Sequence, residues 1–225
     1  MPSELPERFS LAFIGGTGPE GRGLATRFAA LGHSVIVGSR SQQRASEAAE
    51  QIEAMFGGAH PIGRENEAAA VSAEIIVLTV PFAGADDTLP PLADAARGKI
   101  VVSAIAPIEF VDGRPVAGRP VAGSAAQHVQ GLLPDSRVVS AFQTLDARRV
   151  LDIERPLDTD VIVCSDDVEA RRLVVRLANQ LPGVRALSGG RLAASRYVEE
   201  CTALLVTLNR IYKTHSGVRF TGIDR

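Results

Sequence analysis

The feature that most constrains this 225-residue chain is a run of glycines, "IGGTGPEGRG", at residues 14–23. Glycine loses more conformational freedom on folding than any other residue, so five glycines in ten positions need a reason. The run follows "FSLAFI" (9–14), an apolar segment typical of a buried strand, and precedes a segment with apolar residues at helical spacing. It contains the pattern G-x-G-x-x-G at residues 16–21. A strand, a glycine-rich turn and a helix in this order predict a dinucleotide-binding unit.

Each glycine of the pattern then has a predicted role. Gly16 permits a tight turn, Gly18 lets the backbone approach a pyrophosphate, and Gly21 lets the helix pack closely on the strand. Pro19 suits the first helical turn, where its missing N–H costs nothing. The free N–H groups at the helix N-terminus would face the phosphates.

The end of the second predicted strand indicates which dinucleotide binds. NAD-preferring sites place Asp or Glu there to accept a hydrogen bond from the ribose 2′-hydroxyl. This chain has "VGSRSQQR" instead, with Ser39, Arg40 and, one helical turn later, Arg44. A hydroxyl and two guanidinium groups would bind a 2′-phosphate, so the sequence predicts NADP(H). The alternative is that both arginines are solvated surface charges.

Strand and helix patterns alternate through the first two thirds of the chain. Further strands are predicted at "SVIV", "EIIVLTV" (74–80), "KIVVSAI" (99–105) and "RVVSAF" (137–142), with a helix from Pro81 to about Ala96. The segment 107–123, rich in Pro and Gly, is predicted to be a long loop or a β-excursion. This alternation predicts an α/β fold, a Rossmann-type doubly wound and mainly parallel sheet.

The pattern changes after about residue 150, which suggests two parts: an NADP-binding domain at 8–150 and a smaller C-terminal α/β domain at 151–225. The second part contains the strand "TDVIVCSD", the helix "DVEARRLVVRLANQL" and a long final helix, "RLAASRYVEECTALLVTLNRIY". That last helix has an apolar face broad enough to need both an intrachain and an interchain neighbour. We therefore expect the C-terminal part to close the substrate cleft and to form a homodimer interface.

Composition excludes several other classes of protein. The net charge is −2 and no run of Lys or Arg occurs, so we expect no nucleic-acid partner. No apolar run approaches the roughly 20 residues that span a bilayer, and the N-terminus lacks the features of a signal peptide. Cys164 and Cys201 lie far apart in apolar stretches, and the histidines share no metal spacing. We expect a cytoplasmic protein with reduced thiols and no metal.

Several segments together resemble the F420-dependent NADP oxidoreductase family, and the resemblance covers nearly the whole chain. It implies a Rossmann domain with a small C-terminal domain, usually in dimers. It also implies hydride transfer between NADPH and the deazaflavin coenzyme F420. The segments that carry it are "GGTGPEGRGLATRFAALGHSVIVGSR", "VLTVPF", "VVSAIAP", "RVVSAFQTLDA" and "LNRIYKTHSGVRF".

The resemblance also implies roles for individual residues. Gln143 stands where well-known members have His, and it is our candidate for orienting the deazaflavin ring. Hydride transfer between stacked rings needs no catalytic acid or base, because the cofactors supply the reactivity. The implied contacts are Thr17, Gly18, Pro19 and Glu20 with the pyrophosphate; Ser39, Arg40 and Arg44 with the 2′-phosphate; Val80, Pro81, Phe82, Ala106 and Ile108 with the nicotinamide side; and Gln143, Thr144, Leu145, Asp146 and Ala147 as the floor below the stacked rings.

Two alternatives remain open on the sequence. One is an NADPH-dependent reductase of another flavin-like, pterin-like or imine substrate on the same scaffold. The other is a non-catalytic NADP(H) sensor, in which the space beside the nicotinamide would be filled. Small residues at Ala104, Ala106 and Ala147 favour an open cleft. Gln143 could also serve only to satisfy backbone groups.

Overall fold

The computed structural model describes residues 7–223. The N-terminal segment, predicted above not to be a signal peptide, lies mostly outside these residues. The strands alternate with helices along the chain, as the sequence predicts. They are β1 (Ser10–Ile14), β2 (Ser34–Ser39), β3 (Ile62–Glu65), β4 (Ile75–Leu78), β5 (Ile100–Ser103), β6 (Ile108–Val111), β7 (Arg114–Ala117), β8 (Arg137–Ser140), β9 (Thr159–Cys164) and β10 (Val184–Gly190).

The helices begin and end at recognisable sequence signals. Ser41 Oγ accepts a hydrogen bond from the Arg44 N–H and caps the second helix, while Gly32, with φ of +86°, follows the end of the first. The helices are α1 (Pro19–Ala30), α2 (Gln42–Met55), α3 (Asn66–Ser72), α4 (Ala85–Thr88), α5 (Ala93–Ala96), α6 (Ala125–Leu132), α7 (Ala147–Leu151), α8 (Val168–Asn179) and α9 (Ser195–Tyr212).

Eight of the ten strands in the described residues form one sheet, and β6 and β7 pair separately. Its strand order is β10-β9-β8-β5-β4-β1-β2-β3, and every neighbouring pair is parallel except β8 and β9, which meet antiparallel at Ser140 and Cys164. The chain starts at β1 and builds outward to both sides, so β1 lies between β2 and β4. This arrangement confirms the predicted Rossmann-type, mainly parallel α/β fold.

The central strands are buried on both faces, and alternate residues enter two different cores. Leu11 and Phe13 of β1 pack on one side with α1, α2 and α8, while Ala12 and Ile14 pack on the other side with α3 and α6. All four side chains are fully buried. Helices therefore cover both faces of the sheet, which is why its strands have continuous apolar sequences.

The C-terminal residues continue the same sheet. Strands β9 and β10 join it through the single bridge pair between β8 and β9. Asp160, fully buried in β9, accepts bonds from Arg185 at 2.6 and 2.9 Å and from the Phe220 N–H at 2.7 Å. The bond from Arg185 holds the pKa of this carboxyl below its usual range. These contacts attach the segment after α9 to the edge of the sheet.

Some elements differ from the sequence prediction. The helix expected from Pro81 to Ala96 is instead a series of short turns, the 3-10 helices Phe82–Gly84 and Pro90–Leu92 alternating with α4 and α5. Consecutive prolines at 90 and 91 prevent a continuous helix there. The segment predicted to be a loop or β-excursion forms the antiparallel hairpin of β6 and β7. Strands β3 and β10 were not predicted.

Candidate functional site

A cleft of about 860 Å³ lies at the carboxyl ends of the parallel strands. Residues that follow β1, β4, β5 and β8 line it, including Gly15, Thr79, Ala104 and Gln143. Because the strand order reverses at β1, the loops after β1 and β4 diverge and leave a crevice between them. Ligands of open α/β sheets bind at this topological switch point.

The glycine-rich turn forms one wall of the cleft. Gly15 has φ of +80°, a conformation that favours glycine, and a Cβ there would approach Val80 Cγ1 to 2.9 Å. The left-handed residue of the turn is thus Gly15, whereas the sequence analysis gave the tight turn to Gly16. Gly16 needs to be glycine for another reason, since its Cβ would lie 2.7 Å from the Phe13 carbonyl oxygen.

Gly18 and Gly21 differ in what surrounds them. A Cβ on Gly21 would lie 2.4 Å from Thr79 Oγ1, so this glycine permits close packing of helix on strand, as predicted. A Cβ on Gly18 would meet only the Gly15 carbonyl oxygen, at 3.5 Å, among the described residues. Packing among the described residues does not explain Gly18, and its lack of a side chain leaves room for a ligand group beside the backbone. Gly18 is also the N-cap of α1, which begins at Pro19, and no side chain caps this end, so the turn fits a diphosphate.

Glu20, in the first turn of α1, carries a carboxyl group with an unusual environment. Its Oε1 atom is buried and has no hydrogen-bond partner within residues 7–223. Burial raises the pKa of this carboxyl to about 8. At neutral pH the group is therefore mostly protonated, and it does not place a negative charge beside a bound phosphate.

The opposite end of the cleft lies beyond β2. Ser39, Arg40 and Arg44 all line it, and in the described part of the chain neither arginine forms an ion pair. Asn66, the first residue of α3, lines the same end, and its buried Oδ1 has no partner among the described residues. The geometry brings together the three predicted residues and adds an amide oxygen that the sequence analysis missed.

The middle of the cleft contains most of the residues predicted for the nicotinamide side. Val80 and Pro81 after β4, with Ala106 and Ile108 after β5, line it. Phe82 does not, because its ring packs against His128, with centroids 5.4 Å apart. Gly16 is likewise buried below the turn and outside the lining. The remaining predicted residues, Thr17, Pro19, Glu20, Gly21, Thr144, Leu145, Asp146 and Ala147, all line the cleft.

Gln143 follows β8 and is 97% buried, with 3% of its surface exposed. Its Nε2 atom donates to the Ser103 carbonyl oxygen at 2.9 Å and to Ser140 Oγ at 2.6 Å. Its Oε1 atom is buried without a partner in the described structure. The Nε2 atom therefore satisfies a backbone carbonyl and a hydroxyl group, which is the alternative role considered for Gln143 above. The Oε1 atom is unpaired among the described residues.

The C-terminal part supplies a wall that the sequence analysis did not assign. Thr202, Leu205 and Asn209 of α9, and Ser216 after it, line the cleft. Asp146 accepts bonds from Asn209 Nδ2 at 3.2 Å and from His215 Nδ1 at 3.1 Å, and so joins this wall to the loop after β8. Polar residues at 202 and 209, seven residues apart on an otherwise apolar helix face, were the available signal.

Other kinds of site are not found in the described residues. No group of three or more His, Cys, Asp or Glu side chains within residues 7–223 could hold a metal ion. No helix among the described residues is long and apolar enough to cross a membrane.

The fold and the cleft define a Rossmann protein of the dinucleotide-binding class, and comparison with known proteins gives the family. The family model described as "NADP oxidoreductase coenzyme F420-dependent" matches residues 10–107. The chain is 39% identical to the F420-dependent NADP reductase of Methanocaldococcus jannaschii, over 95% of this chain and 99% of that protein. It is 37% identical to that of Methanothermobacter thermautotrophicus, over 95% of each chain. The chain belongs to the F420-dependent NADP reductase family, which confirms the resemblance predicted from its sequence.

A solved structure supports the fold. The crystal structure of a candidate F420-dependent NADP reductase from Arthrobacter sp. FB24 superposes with a TM-score of 0.80. The two chains are 24% identical, and the match covers 94% of this chain and all of the other.

Proposed function

We propose that this protein transfers a hydride between NADPH and the deazaflavin coenzyme F420. The observation that carries the proposal is the extent of the cleft. It runs from the glycine-rich turn after β1, past β4, to Gln143 after β8, and it is lined by the small side chains of Ala104, Ala106 and Ala147. An open space of this kind fits a second ring stacked on the first. The full-length relatives named as F420-dependent NADP reductases support F420 as the second ring.

The backbone of the glycine-rich turn and the positive charges of two arginines would contribute most of the NADP(H) binding. The glycine-rich turn, with no side chain on Gly18, would hold the diphosphate. Arg40 and Arg44 would bind the 2′-phosphate through charge-assisted hydrogen bonds, with Ser39 beside them. Asn66 Oδ1, unpaired in the described structure, would accept a hydrogen bond from the adenosine part.

The protein's contribution to the reaction is alignment. The two coenzymes supply the redox chemistry: a hydride passes between their rings, and the reduced deazaflavin also takes up one proton, for which solvent is a sufficient source. Val80, Pro81 and Ile108 would hold the rings in contact and exclude water from the space between them. The C-terminal part, 151–225, would close the cleft from the other side, because Thr202, Leu205 and Asn209 line that wall.

The alternatives are not favoured. Relatives that match nearly the whole chain at 37–39% identity are named for F420 and NADP, not for an imine or pterin substrate. The small residues Ala104, Ala106 and Ala147 line the cleft and favour room for a second ring, whereas a sensor without a second substrate has no need of that room.

A turnover assay tests the proposal. Purified protein mixed with NADPH and oxidised F420 should lose the F420 absorbance, and NADH at the same concentration should give a much slower reaction. A protein that binds NADPH tightly but neither binds nor reduces F420 would contradict the proposal. FMN in place of F420 is the control for an unselective flavin reductase.

We also propose that the protein is a cytoplasmic homodimer that associates through its C-terminal part. Tyr197, Leu204, Ile211 and Tyr212 of α9 are each more than half exposed, and Phe220 after the helix is 44% exposed. Tyr197, Leu204 and Ile211 are seven residues apart and so lie on one face of α9, where an exposed apolar stripe fits an interface between subunits. Sedimentation at micromolar concentration should show a dimer, and Leu204→Glu should shift the species toward the monomer. A wild-type monomer under these conditions would contradict the proposal.

A further inference from the structure

The C-terminal strap, which we define as residues 213–220, contributes to the cleft wall between two anchors. α9 ends where Lys213 adopts φ of +50°, and the chain then returns to the edge of the sheet. There the Asp160 N–H of β9 donates to the Val218 carbonyl oxygen at 2.7 Å. Ser216 lies between these two points and lines the cleft. The groups that fix Ser216 therefore fix this part of the wall.

Asn209, near the end of α9, holds Ser216 in place. Its Oδ1 atom accepts from the Ser216 N–H at 2.6 Å and from Ser216 Oγ at 2.7 Å. A backbone N–H can only donate, so the amide atom that faces it must be Oδ1, and the Asn209 amide has a single orientation. Nδ2 is therefore the atom that faces Asp146, and it donates to Oδ2 of that carboxylate at 3.2 Å.

Asp146 uses both of its carboxylate oxygens. Oδ1 accepts from the Arg148 N–H at 2.9 Å and from the Arg149 N–H at 3.1 Å, and so caps α7. Oδ2 accepts from Asn209 Nδ2 and, at 3.1 Å, from His215 Nδ1. Because a carboxylate can only accept, Nδ1 of His215 carries the hydrogen. One side chain after β8 thus holds α7 with one oxygen, and both α9 and the strap with the other.

Two side-chain hydrogen bonds among the described residues join α9 to the loop after β8. One runs from Asn209 to Asp146, and the other from Thr202 Oγ1 to the Gln143 carbonyl oxygen at 3.1 Å. Positions 202 and 209 are two helical turns apart, or roughly 10 Å along the axis. The two bonds together fix the direction of α9 along the cleft, which one bond alone does not. The Asp146 side chain is only 17% exposed, so its bonds are partly shielded from water.

We propose that Asp146 is a positioning residue for the hydride acceptor, because through Asn209 it holds α9 and the strap against the loop after β8. The inference rests on the proposed function, in which residues 143–147 form the floor below the stacked rings. Hydride transfer needs closely aligned rings, and a displacement of about 1 Å can cost about 10²-fold in rate. Asp146 would act by fixing the wall that is bonded to this floor, not by contact with the reacting atoms.

The test exchanges the two side chains between positions 146 and 209. Asp146→Asn keeps an oxygen for the α7 N–H groups but places an NH₂ group against the Asn209 amide, and Asn209→Asp places two carboxylates together. The double variant restores the bond with donor and acceptor reversed; its new carboxylate still accepts from Ser216, and His215 accepts through its other tautomer. Each single variant should lower kcat/KM for F420 about tenfold, and the double variant should recover to within about threefold of wild type.

NADPH affinity and a matched variant are the controls. The dissociation constant for NADPH should stay within about threefold of wild type in all of these proteins, because the glycine-rich turn and the arginines after β2 are untouched. Asp158→Asn makes the same chemical change in a carboxylate that pairs with Arg219 of the strap at 2.5 Å but is 77% exposed. It should change kcat/KM for F420 by less than about twofold.

Two results of these assays would overturn the proposal. A double variant as impaired as Asp146→Asn would show that the carboxylate at 146 acts on the ligand directly and not through Asn209. Losses of NADPH affinity as large as the losses in kcat/KM for F420 would show that the bond does not act on the hydride acceptor in particular.

Hydrogen exchange of the ligand-free proteins gives a measurement that does not depend on F420. The Ser216 amide should exchange roughly tenfold faster in Asp146→Asn than in wild type, and the double variant should return it toward the wild-type rate. Unchanged exchange in Asp146→Asn would overturn the proposal while leaving the proposed function intact. Wild-type protein that binds NADPH but neither binds nor reduces F420 would instead overturn the proposed function, and this inference with it.

Discussion

Arg27 Nε donates a 2.8 Å hydrogen bond to the carbonyl oxygen of Val150, 123 residues further along the chain. The same guanidinium group donates through Nη2 to the carbonyl oxygens of Arg149, Asp152 and Arg155, and only 3% of the arginine is exposed. Arg27 lies in α1, which begins at the glycine-rich turn. Two of its acceptors lie in α7, which follows the Gln143 loop, and two lie after that helix. One buried side chain thus joins the two walls of the cleft.

Replacing Arg27 with Met should strongly destabilise the fold. The substitution keeps an unbranched apolar stem but removes the Arg27 donor from four carbonyl oxygens, of which that of Asp152 keeps the Arg155 N–H. The free energy of unfolding should therefore fall by about 3 kcal/mol. Urea denaturation measures this. Arg22→Met, in the same helix, removes a bond to Gln51 near the surface and should cost less than about 1 kcal/mol. Similar losses in the two variants would contradict the role given to Arg27.

Alanine substitutions at Gly18 and Gly21 should have different effects. Gly18→Ala should weaken NADPH binding, and Gly21→Ala should lower the stability of the fold. The added methyl on Gly18 meets only one atom at ordinary contact distance, and φ of −75° suits alanine, so stability should change by less than about 1 kcal/mol. The methyl would occupy the phosphate position, and NADPH should bind at least ~10-fold more weakly. Gly21→Ala would clash with Thr79 and should lower stability by roughly 1–3 kcal/mol. Normal NADPH affinity in Gly18→Ala would exclude this turn as the diphosphate site.

NADPH should bind at least ~100-fold more tightly than NADH, because two arginines give a few kcal/mol of charge-assisted hydrogen bonding to a 2′-phosphate. Arg40→Ala and Arg44→Ala should each reduce that preference by about tenfold and leave NADH affinity nearly unchanged. Fluorescence titration with both dinucleotides measures the ratio. Equal wild-type affinity for NADPH and NADH would contradict the prediction.

The stability of Glu20→Gln relative to wild type should depend on pH. The unfolded chain ionises Glu20 near its ordinary pKa of 4.5, whereas the folded protein does so only near 8. Between these values the unfolded state binds fewer protons, so this group makes wild-type stability fall as pH rises, by at most about 1.4 kcal/mol per pH unit. Glutamine has no such contribution.

The measurement is urea denaturation of both proteins at pH 5, 7 and 9. The variant should gain stability relative to wild type from pH 5 to 9, with little further change above the folded pKa. A difference that stays constant over this range would mean that the Glu20 carboxyl is not desolvated in the folded protein.

The sequence by itself determined the central part of the fold and most of the cleft. Strands such as β1 and β4 are buried on both faces, so their apolar runs are continuous and readable. The glycine pattern and the arginines after β2 are local signals, because the turn and the helix that carry them are formed by neighbouring residues. Edge strands are different: β3 is mostly exposed, so its residues carry no apolar pattern.

Only the tertiary structure decided the features that depend on distant contacts. Thr202 and Asn209 face the cleft because of how α9 packs. Phe82 lies outside the cleft because its ring packs against His128. The single orientation of Gln143 depends on a carbonyl oxygen 40 residues away, and the raised pKa of Glu20 depends on burial. Periodicity and local motifs report which residues share a face or a turn. They do not report which groups from different elements meet, because packing fixes hydrogen-bond partners and burial between segments far apart in the chain.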